Sequence, residues 1–238
     1  MMKQKVLTTI LIAILQSVCI WADDVKPSIS PIGTFHSPDS VVEATVFSGS
    51  APIEAHFEAR PTNAEGWTAY YEWRFQMEGD TSPYLIRYEE TTDYTFTQAG
   101  AHRIVCYARF TKDDETIEFM EDYWSESSPL TVTVSESRLD FPNAFSPNGD
   151  HINDVFKAKE GWQSLVEFHA YIFNRWGQLL YEWTDPADGW DGTYNGHDVK
   201  AGVYFLLVKA KGADGLKYNI KRDVNLLRGY NEERGRTN

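Results

Sequence analysis

Cysteine and basic residues are scarce in this sequence. Its 238 residues include two cysteines, which cannot build a disulfide framework or a four-thiolate zinc site. The sequence has 22 Lys and Arg residues against 35 Asp and Glu residues, so its formal charge is −13. Proteins that bind nucleic acids need a stripe of basic residues to neutralise phosphates, and the sequence has no such stripe. These shortages exclude disulfide-rich scaffolds, zinc fingers and nucleic-acid-binding proteins.

Long apolar runs are also lacking. The apolar run at residues 6–15 follows Lys3 and Lys5, and it is shorter than the roughly 20 residues that a transmembrane helix requires. A short apolar run after a positively charged start is typical of a secretory signal peptide, which we predict at residues 1–22. The alternative is a lipoprotein acylated at Cys19, although the residues before this cysteine form a poor lipobox.

Beyond residue 22, apolar and polar residues alternate in several segments, as expected for half-buried β-strands. The alternation is unbroken at residues 53–59, and no window sustains a helical stripe. Three further sets of residues are each predicted to share one inward face: Tyr71, Trp73 and Phe75; Ile104, Cys106, Ala108 and Phe110; and Leu130, Val132 and Val134. The pattern predicts that Cys106 is a small buried hydrophobic residue.

The spacing of strands and turns predicts an all-β protein with two tandem β-sandwich domains after the signal peptide. The polar segment 135–137 follows a strong strand and marks the boundary, so the predicted domains are residues 23–136 and 137–238. Residues 23–40 are expected to be a lead-in segment that ends in the first strand. The strands predicted in the second domain are residues 166–173, 178–183, 203–210 and 218–227.

The first predicted domain resembles the PKD family of immunoglobulin-like sandwiches, which are common in extracellular proteins. The residues that carry the resemblance are Gly49-Ser50-Ala51-Pro52-Ile53, Tyr71-Glu72-Trp73-Arg74-Phe75 and Tyr94-Thr95-Phe96-Thr97-Gln98-Ala99-Gly100-Ala101-His102. The acidic-glycine turn of the family is displaced to Gly79-Asp80. The resemblance implies a scaffold in which Trp73 fills the core and Gly100 permits a turn with positive φ.

The second predicted domain resembles the gliding-motility-associated C-terminal domain of Bacteroidota, which is the type B sorting domain of the type IX secretion system. Six motifs between about Ser137 and Arg228 carry the resemblance: Leu139 to Asp150, Asn153 to Phe156, Ile172 to Gly177, Gly189 to Gly192, Gly202 to Tyr204 and Val224 to Arg228. The departures are His151, where the family has glycine, and the tail from Gly229 to Asn238. The resemblance implies export and docking on an outer-membrane barrel of the PorP/SprF type.

Eight residues of these motifs are candidates for recognition by the secretion machinery: Asn174, Arg175, Trp176, Gly177, Trp190, Asp191, Gly192 and Arg228. The alternative is a structural role. Arginine beside tryptophan is a favourable packing unit, and Asp-Gly is a hairpin-turn dipeptide. If Trp176 is a buried hairpin anchor, Trp176→Ala is expected to destabilise the domain by about 3–5 kcal/mol.

The sequence contains only weak signals for metal binding or catalysis. Asp150, Asn153 and Asp154 offer oxygen ligands that loosely resemble a calcium loop, but the EF-hand spacing is absent and Asn and Asp also close turns without a metal. The histidines are scattered, and the sequence contains no nucleophile elbow or glycine-rich phosphate loop. We therefore expect no enzyme activity and no cofactor.

Two functional hypotheses remain. The first is a secreted, non-enzymatic adaptor at the outer membrane, on its periplasmic face or at the cell surface, whose second domain docks on the barrel and whose first domain binds a second periplasmic or surface protein. The other is a small cell-surface adhesin or glycan-binding module that uses the second domain only for export. Trp67 and Trp124, in predicted loops, are the candidates for stacking on sugars.

Overall fold

The computed structural model describes residues 25–37 and 40–228. Nearly all regular structure in these ranges is β-strand, and the helix α1 spans Glu121–Glu126. The all-β prediction is confirmed. The predicted signal peptide, with Cys19, and the tail from Gly229 onward lie outside the described residues. Within the described ranges, no helix has the length and apolar character needed to cross a membrane.

The first unit, residues 25–136, contains twelve strands in its described part. They are β1 (Ser28–Ile29), β2 (Ile32–Ser37), β3 (Ser40–Ala44), β4 (Val46–Gly49), β5 (Ile53–Glu58), β6 (Pro61–Thr62), β7 (Thr68–Met77), β8 (Leu85–Arg87), β9 (Thr91–Phe96), β10 (Gly100–Lys112), β11 (Glu115–Phe119) and β12 (Leu130–Val134). One sheet has the order β3-β2-β5-β9, and the other has the order β4-β12-β10-β7-β8 with β11 on β10. Strand β4 pairs in parallel with β12, so the chain leaves one sheet at β3 and joins the other at β4.

The inward faces predicted from the alternation are confirmed in the first unit. All ten residues of the three predicted sets are buried, and Cys106 is fully buried among them. Trp73 fills the core and donates its indole N–H to the Glu89 carbonyl at 3.0 Å. Gly100 has a φ of +123°, a backbone conformation that residues with a Cβ rarely adopt, so glycine is favoured at this position.

The segment at residues 23–40, predicted as a lead-in that ends in the first strand, contains the two strands β1 and β2 in its described part. Strand β2 is a central strand of the four-stranded sheet, between β3 and β5. Its Phe35 is buried and stacks on Phe47 with ring centroids 4.2 Å apart. Prolines and glycine around this strand obscured an alternation that is only six residues long.

The second unit, residues 137–228, contains nine described strands. They are β13 (Ala144–Phe145), β14 (Phe156–Lys157), β15 (Leu165–Phe173), β16 (Leu179–Trp183), β17 (Gly189–Trp190), β18 (Thr193–Tyr194), β19 (His197–Asp198), β20 (Gly202–Gly212) and β21 (Lys217–Leu226). The four strands predicted in this half are present, with ends that differ by at most two residues. They form a five-stranded sheet in the order β13-β21-β20-β15-β16.

Among the described residues, a second layer covers one face of this sheet. On the covered face, the β14–β17 ladder places Phe156 and Trp190 in the core. On the opposite face, Tyr171 pairs across the strands with Leu207, and Phe173 pairs with Phe205. These four side chains are partly or largely exposed. The outer face of the sheet therefore carries an apolar cluster formed by these four side chains.

Two loops of the second unit insert into the first unit. The Ser164 hydroxyl accepts the Ala51 backbone N–H at 3.2 Å and lies 2.7 Å from the Ser135 hydroxyl. The Ala213 carbonyl accepts the Ala99 N–H at 3.0 Å, and the Ala213 N–H donates to the Ser164 carbonyl at 2.8 Å. Ala213 is 7% exposed and packs in the hydrophobic core of the first unit. The two units therefore share a directly hydrogen-bonded interface.

The segment that connects the two units is also held in place. The Ser137 backbone N–H and hydroxyl donate to the Asp214 carboxylate at 2.9 and 2.8 Å. The Gln163 side chain donates to the Glu136 carbonyl at 3.0 Å. Arg138 and Gln163 exchange two backbone hydrogen bonds. The connection is short and has little freedom to act as a flexible linker.

Candidate recognition site

The turn between β15 and β16 presents the most exposed tryptophan of the described residues. The Asn174 side-chain oxygen accepts the backbone N–H groups of Trp176 and Gln178 at 3.0 and 3.1 Å. Gly177 has a φ of +79°, which the tight return of the chain requires. These constraints hold Trp176 outward, 75% exposed, with the Arg175 guanidinium 4.3 Å from the centre of its ring.

The expectation that Trp176 is a buried anchor is therefore wrong. The turn is fixed by Asn174 and Gly177, whose backbone and amide contacts close it without the indole. Removal of an exposed ring leaves no cavity, so the loss of about 3–5 kcal/mol expected for a buried aromatic does not apply. The large exposed ring beside a cation instead favours a contact with a partner.

A cleft of about 660 Å³ opens beside this turn. It lies between the β15–β16 turn and the first residues of β20, and its volume is in the range of ligand-binding clefts. Its apolar lining consists of Leu180, Tyr194, Val199, Val203, Tyr204 and Phe205, with Trp176 at the rim. Arg175 and Lys200 also line it, and no Asp or Glu occurs among the described residues around it.

The polar side chains of the cleft differ in whether they are already hydrogen-bonded to other residues. The Asn174 amide donates to the Gln178 side-chain oxygen at 2.9 Å, and the Gln178 amide donates to the Tyr194 hydroxyl at 3.1 Å. Both amides are thus engaged within the turn. Arg175 and Lys200 form no ion pair with any described residue. The polar groups of the cleft that remain available to a ligand are therefore the cations of Arg175 and Lys200.

The second candidate motif is structural. Trp190 is 0% exposed, and its indole N–H donates to the Thr193 carbonyl at 2.7 Å. The Asp191 carboxylate accepts the Thr193 backbone N–H and hydroxyl at 2.9 and 2.8 Å. Gly192 has a φ of +82°, and a Cβ there would press on Leu226. The prediction that Trp190 and Gly192 contact a partner directly is wrong, because both are buried in the fold.

Arg228 connects three segments at the end of the described chain. Its guanidinium donates to the carbonyls of Val199 and Gly192 at 2.8 Å each, and to that of Pro147 at 3.4 Å. It also lies 3.2 Å from the Asp198 carboxylate. These contacts place Arg228 behind Val199, where it supports one wall of the cleft.

The loop at residues 148–154 is closed by its own side chains. The Asp154 carboxylate accepts the backbone N–H groups of Asn148, Gly149 and His151 at 2.8 to 2.9 Å. These hydrogen bonds lower the pKa of Asp154 below its ordinary value. The Asp150 carboxylate accepts the Ile152 N–H at 2.9 Å. The predicted turn is therefore present.

The calcium hypothesis for this loop involved Asp150, Asn153 and Asp154. In the part of the chain that the structure describes, no group of three or more His, Cys, Asp or Glu residues is arranged to hold a metal ion. The Asp154 oxygens face backbone N–H donors, as in a turn closed by a carboxylate. This donor set lacks the six to eight oxygens that calcium prefers.

Asp154→Ala is expected to lower the thermal stability of the chain because three backbone N–H groups lose their acceptor. The folded pKa is depressed, so this stabilisation is complete at neutral pH and is lost as the pH falls below about 4. Thermal unfolding of the wild type and the variant at several pH values measures the effect. A difference in midpoint that persists unchanged well below pH 4 would contradict this assignment.

The two tryptophans proposed for sugar stacking have different environments. Trp124 is 5% exposed in α1, and its indole N–H donates to the Cys106 carbonyl at 2.9 Å. The prediction that Trp124 stacks on sugars is wrong, because the helix turns it into the first core. Trp67 is half-buried, packs against the same core and lies 5.8 Å from the Lys112 ammonium.

Sequence patterns did not reveal four residues of the cleft: Tyr194, Lys200, Val203 and Phe205. A signal for two of them exists in the apolar run at residues 203–208. A strand with one solvated face alternates, whereas this run places apolar side chains on both faces. Tyr194 and Lys200 carry no such signal, because their position depends on how the β18–β19 hairpin folds beside β20.

Charge is unevenly divided between the two units. Residues 25–136 contain 19 acidic and seven basic residues, a net charge of −12, whereas residues 137–228 contain 12 acidic and 11 basic residues, a net charge of −1. The acidity of the chain is therefore a property of the first unit. The cationic cleft belongs to the nearly neutral second unit.

Comparison with known proteins finds a family match within the second unit. Residues 139–221 match the model of the CHU_C Type IX secretion signal domain. A search of curated proteins finds no match. Among solved structures, dimeric latent PorU from Porphyromonas gingivalis is similar at 11% identity, with a TM-score of 0.24; the match covers 87% of this chain and 20% of the PorU chain. The signal domain implies export and association with the outer membrane or cell surface. The similarity to the CHU_C Type IX secretion signal domain thus covers residues 139–221, which lie within the second unit.

Proposed function

We propose that this chain is a non-enzymatic adaptor of the outer membrane. In this proposal the second unit docks on a barrel of the PorP/SprF type, and the first unit, a PKD-like sandwich, binds a second periplasmic or surface protein. The observation that carries the proposal is the fixed interface between the units, formed by Ser164 and Ala213.

A fixed interface distinguishes an adaptor from ordinary cargo. A domain that serves only as an export address can be joined to its cargo by a flexible linker, because transport requires no defined geometry between them. Here the connecting segment is hydrogen-bonded to Asp214 and Gln163 of the second unit, and Ala213 of the second unit packs in the core of the first. A rigid pair of units holds two partners at a set distance.

The charge distribution supports the binding of different partners by the two units. The net charge of −12 on residues 25–136 favours a partner with a basic surface. Interactions of this kind associate faster at low salt and are weakened by screening. We expect the second partner to dissociate as salt rises, while the barrel contact, which uses the nearly neutral unit, responds less.

The test is co-purification of the full-length chain from detergent-solubilised outer membranes. The expected result is one membrane protein retained at both low and high salt and a second protein that is retained only at low salt. Recovery of the chain mainly free in the medium, with its second unit removed and no membrane partner, would support export of a cargo instead.

Truncation after residue 136 is expected to leave the first unit in the periplasm, since the signal domain is lost. The truncated chain also loses Ser164 and Ala213, which contact Ala51 and Ala99. We therefore expect a lower thermal midpoint for the first unit alone than for the full chain. Fractionation and thermal unfolding measure both effects, and normal surface levels of the truncated chain would refute the first.

The glycan-binding alternative is favoured by one observation. Tyr70 and Tyr88 are 43% and 59% exposed on the first unit, with ring centroids 6.2 Å apart. Exposed paired rings suit stacking on a sugar face. Titration with polysaccharides, followed by fluorescence, separates the hypotheses. Saturable binding that Tyr88→Ala removes would favour the adhesin.

A further inference from the structure

We propose that the cleft of the second unit binds an extended acidic segment of a partner protein. An apolar side chain of that segment would enter the cleft beside Trp176, and its carboxylates would meet Arg175 and Lys200. This inference rests on the proposed docking of the second unit, and it names the chemistry by which the partner is recognised.

The charge of the cleft points to an acidic ligand. The whole chain has a formal charge of −13, yet no acidic residue lines this cleft among the described residues. Arg175 and Lys200 lie at it without an ion-pair partner in the described part of the chain. Two such cations in an acidic protein are complementary to carboxylates, and guanidinium groups bind carboxylates with directional hydrogen bonds.

The lining favours a peptide over a sugar. Leu180, Val199 and Val203 are aliphatic, and they suit the burial of an aliphatic or aromatic side chain. Sugar hydroxyls donate hydrogen bonds as well as accept them, and the described residues of the cleft include no carboxylate acceptor. The amides of Asn174 and Gln178 are already engaged with each other and with a tyrosine hydroxyl. The free polar groups that remain are donors.

The shape favours an extended segment. A second hollow of about 370 Å³ lies on the outer face of the sheet and shares Phe205 with the cleft. It continues along Phe173 and Leu207, where Lys221 pairs with Leu207, and its one acidic residue, Asp223, pairs with Phe205. The two hollows form a track with apolar side chains along its floor, Arg175 and Lys200 at one end and Lys221 towards the other. A peptide laid along strands can place alternate side chains in such a track.

The experiment uses photo-crosslinking in cells that export the full chain. Trp176 is replaced by p-benzoylphenylalanine, which keeps an aromatic ring at an exposed position. After irradiation, the crosslinked product is digested and sequenced. The expected product is one protein segment that contains Asp or Glu next to an apolar residue. Crosslinks only to lipid or polysaccharide, to segments without acidic residues, or to nothing while export is normal would overturn the proposal.

Charge reversal then tests the role of the cations. Arg175→Glu together with Lys200→Glu is expected to lower the yield of this crosslink by about tenfold or more. Lys209→Glu is the matched control, because Lys209 is an exposed cation on β20 that lines neither hollow. Reversal of the acidic residues in the crosslinked segment to Lys is expected to restore the yield with the double variant.

The outcomes separate this inference from the adaptor hypothesis. Failure of the second partner to bind the first unit would leave the crosslink at Trp176 unchanged. Conversely, equal crosslink yields from the double variant and the Lys209→Glu control would refute the acidic-segment proposal. Thermal unfolding of each variant shows that a loss of crosslinking does not reflect a loss of folding.

Discussion

Trp190→Ala is expected to destabilise the second unit strongly and to lower export. The Trp190 ring is 0% exposed, and its centroid lies 5.0 Å from that of Tyr204 and 5.4 Å from that of Phe145. Replacing a buried tryptophan by alanine costs about 3–5 kcal/mol through lost burial and the remaining cavity. The total stability of a domain is about 5–15 kcal/mol, so one substitution removes a large part of it.

Trp176→Ala is the matched control for this prediction. The chemical change is identical, but Trp176 is 75% exposed, so we expect the thermal midpoint to stay close to that of the wild type. Thermal unfolding followed by circular dichroism measures both variants, and cell fractionation measures export. Equal destabilisation by the two substitutions would contradict the environments described for the two rings.

Comparison of Trp190→Ala with Trp176→Ala also separates two causes of failed export. Trp190→Ala acts by unfolding, so the protein is expected to be degraded or retained as an unfolded chain. Trp176→Ala leaves the fold intact, and a loss of outer-membrane association by this variant reports a lost contact with a partner. A folded Trp176→Ala variant that associates normally with the outer membrane would remove Trp176 from the recognition site.

The difference between these two tryptophans shows what the sequence could predict. Both stand in turn motifs, Trp176 before glycine and Trp190 before Asp-Gly. Local chemistry identified both turns correctly, because Asn, Asp and Gly act on their own backbone. Burial of Trp190 depends instead on Phe156, which pairs with it across the β14–β17 ladder from more than 30 positions earlier in the chain. Local pattern contains no information on that pairing.

The same difference between local pattern and long-range packing explains which parts of the fold could be predicted. Alternation predicted strands such as β5 and β15, where one face is buried and the period of two is visible over several residues. It failed at β2, which is short, contains a glycine and is flanked by two prolines. It also could not indicate that Ala213, in a turn of the second unit, packs in the core of the first. Contacts between distant segments are decided by tertiary packing.

Ala213→Glu is expected to break the interface between the units. Ala213 is 7% exposed, and its backbone is hydrogen-bonded to Ala99 and Ser164. A glutamate side chain would have to bury an unpaired charge in the acidic first unit or push the loop out. Either outcome costs several kcal/mol of interface energy, because a buried charge without a partner is strongly unfavourable. Each unit retains its own sheets, so we expect two separate unfolding transitions in place of one.

Calorimetry and small-angle X-ray scattering measure this effect. Ala187→Glu is the control, because Ala187 is exposed in a turn of the same unit and the added charge is the same. We expect the Ala213 variant to have a larger radius of gyration and to be exported, since its signal domain remains folded, but to lose simultaneous binding of two partners. If one transition and the wild-type dimensions persist, the interface is not what couples the units, and the adaptor hypothesis loses the fixed spacing on which it depends.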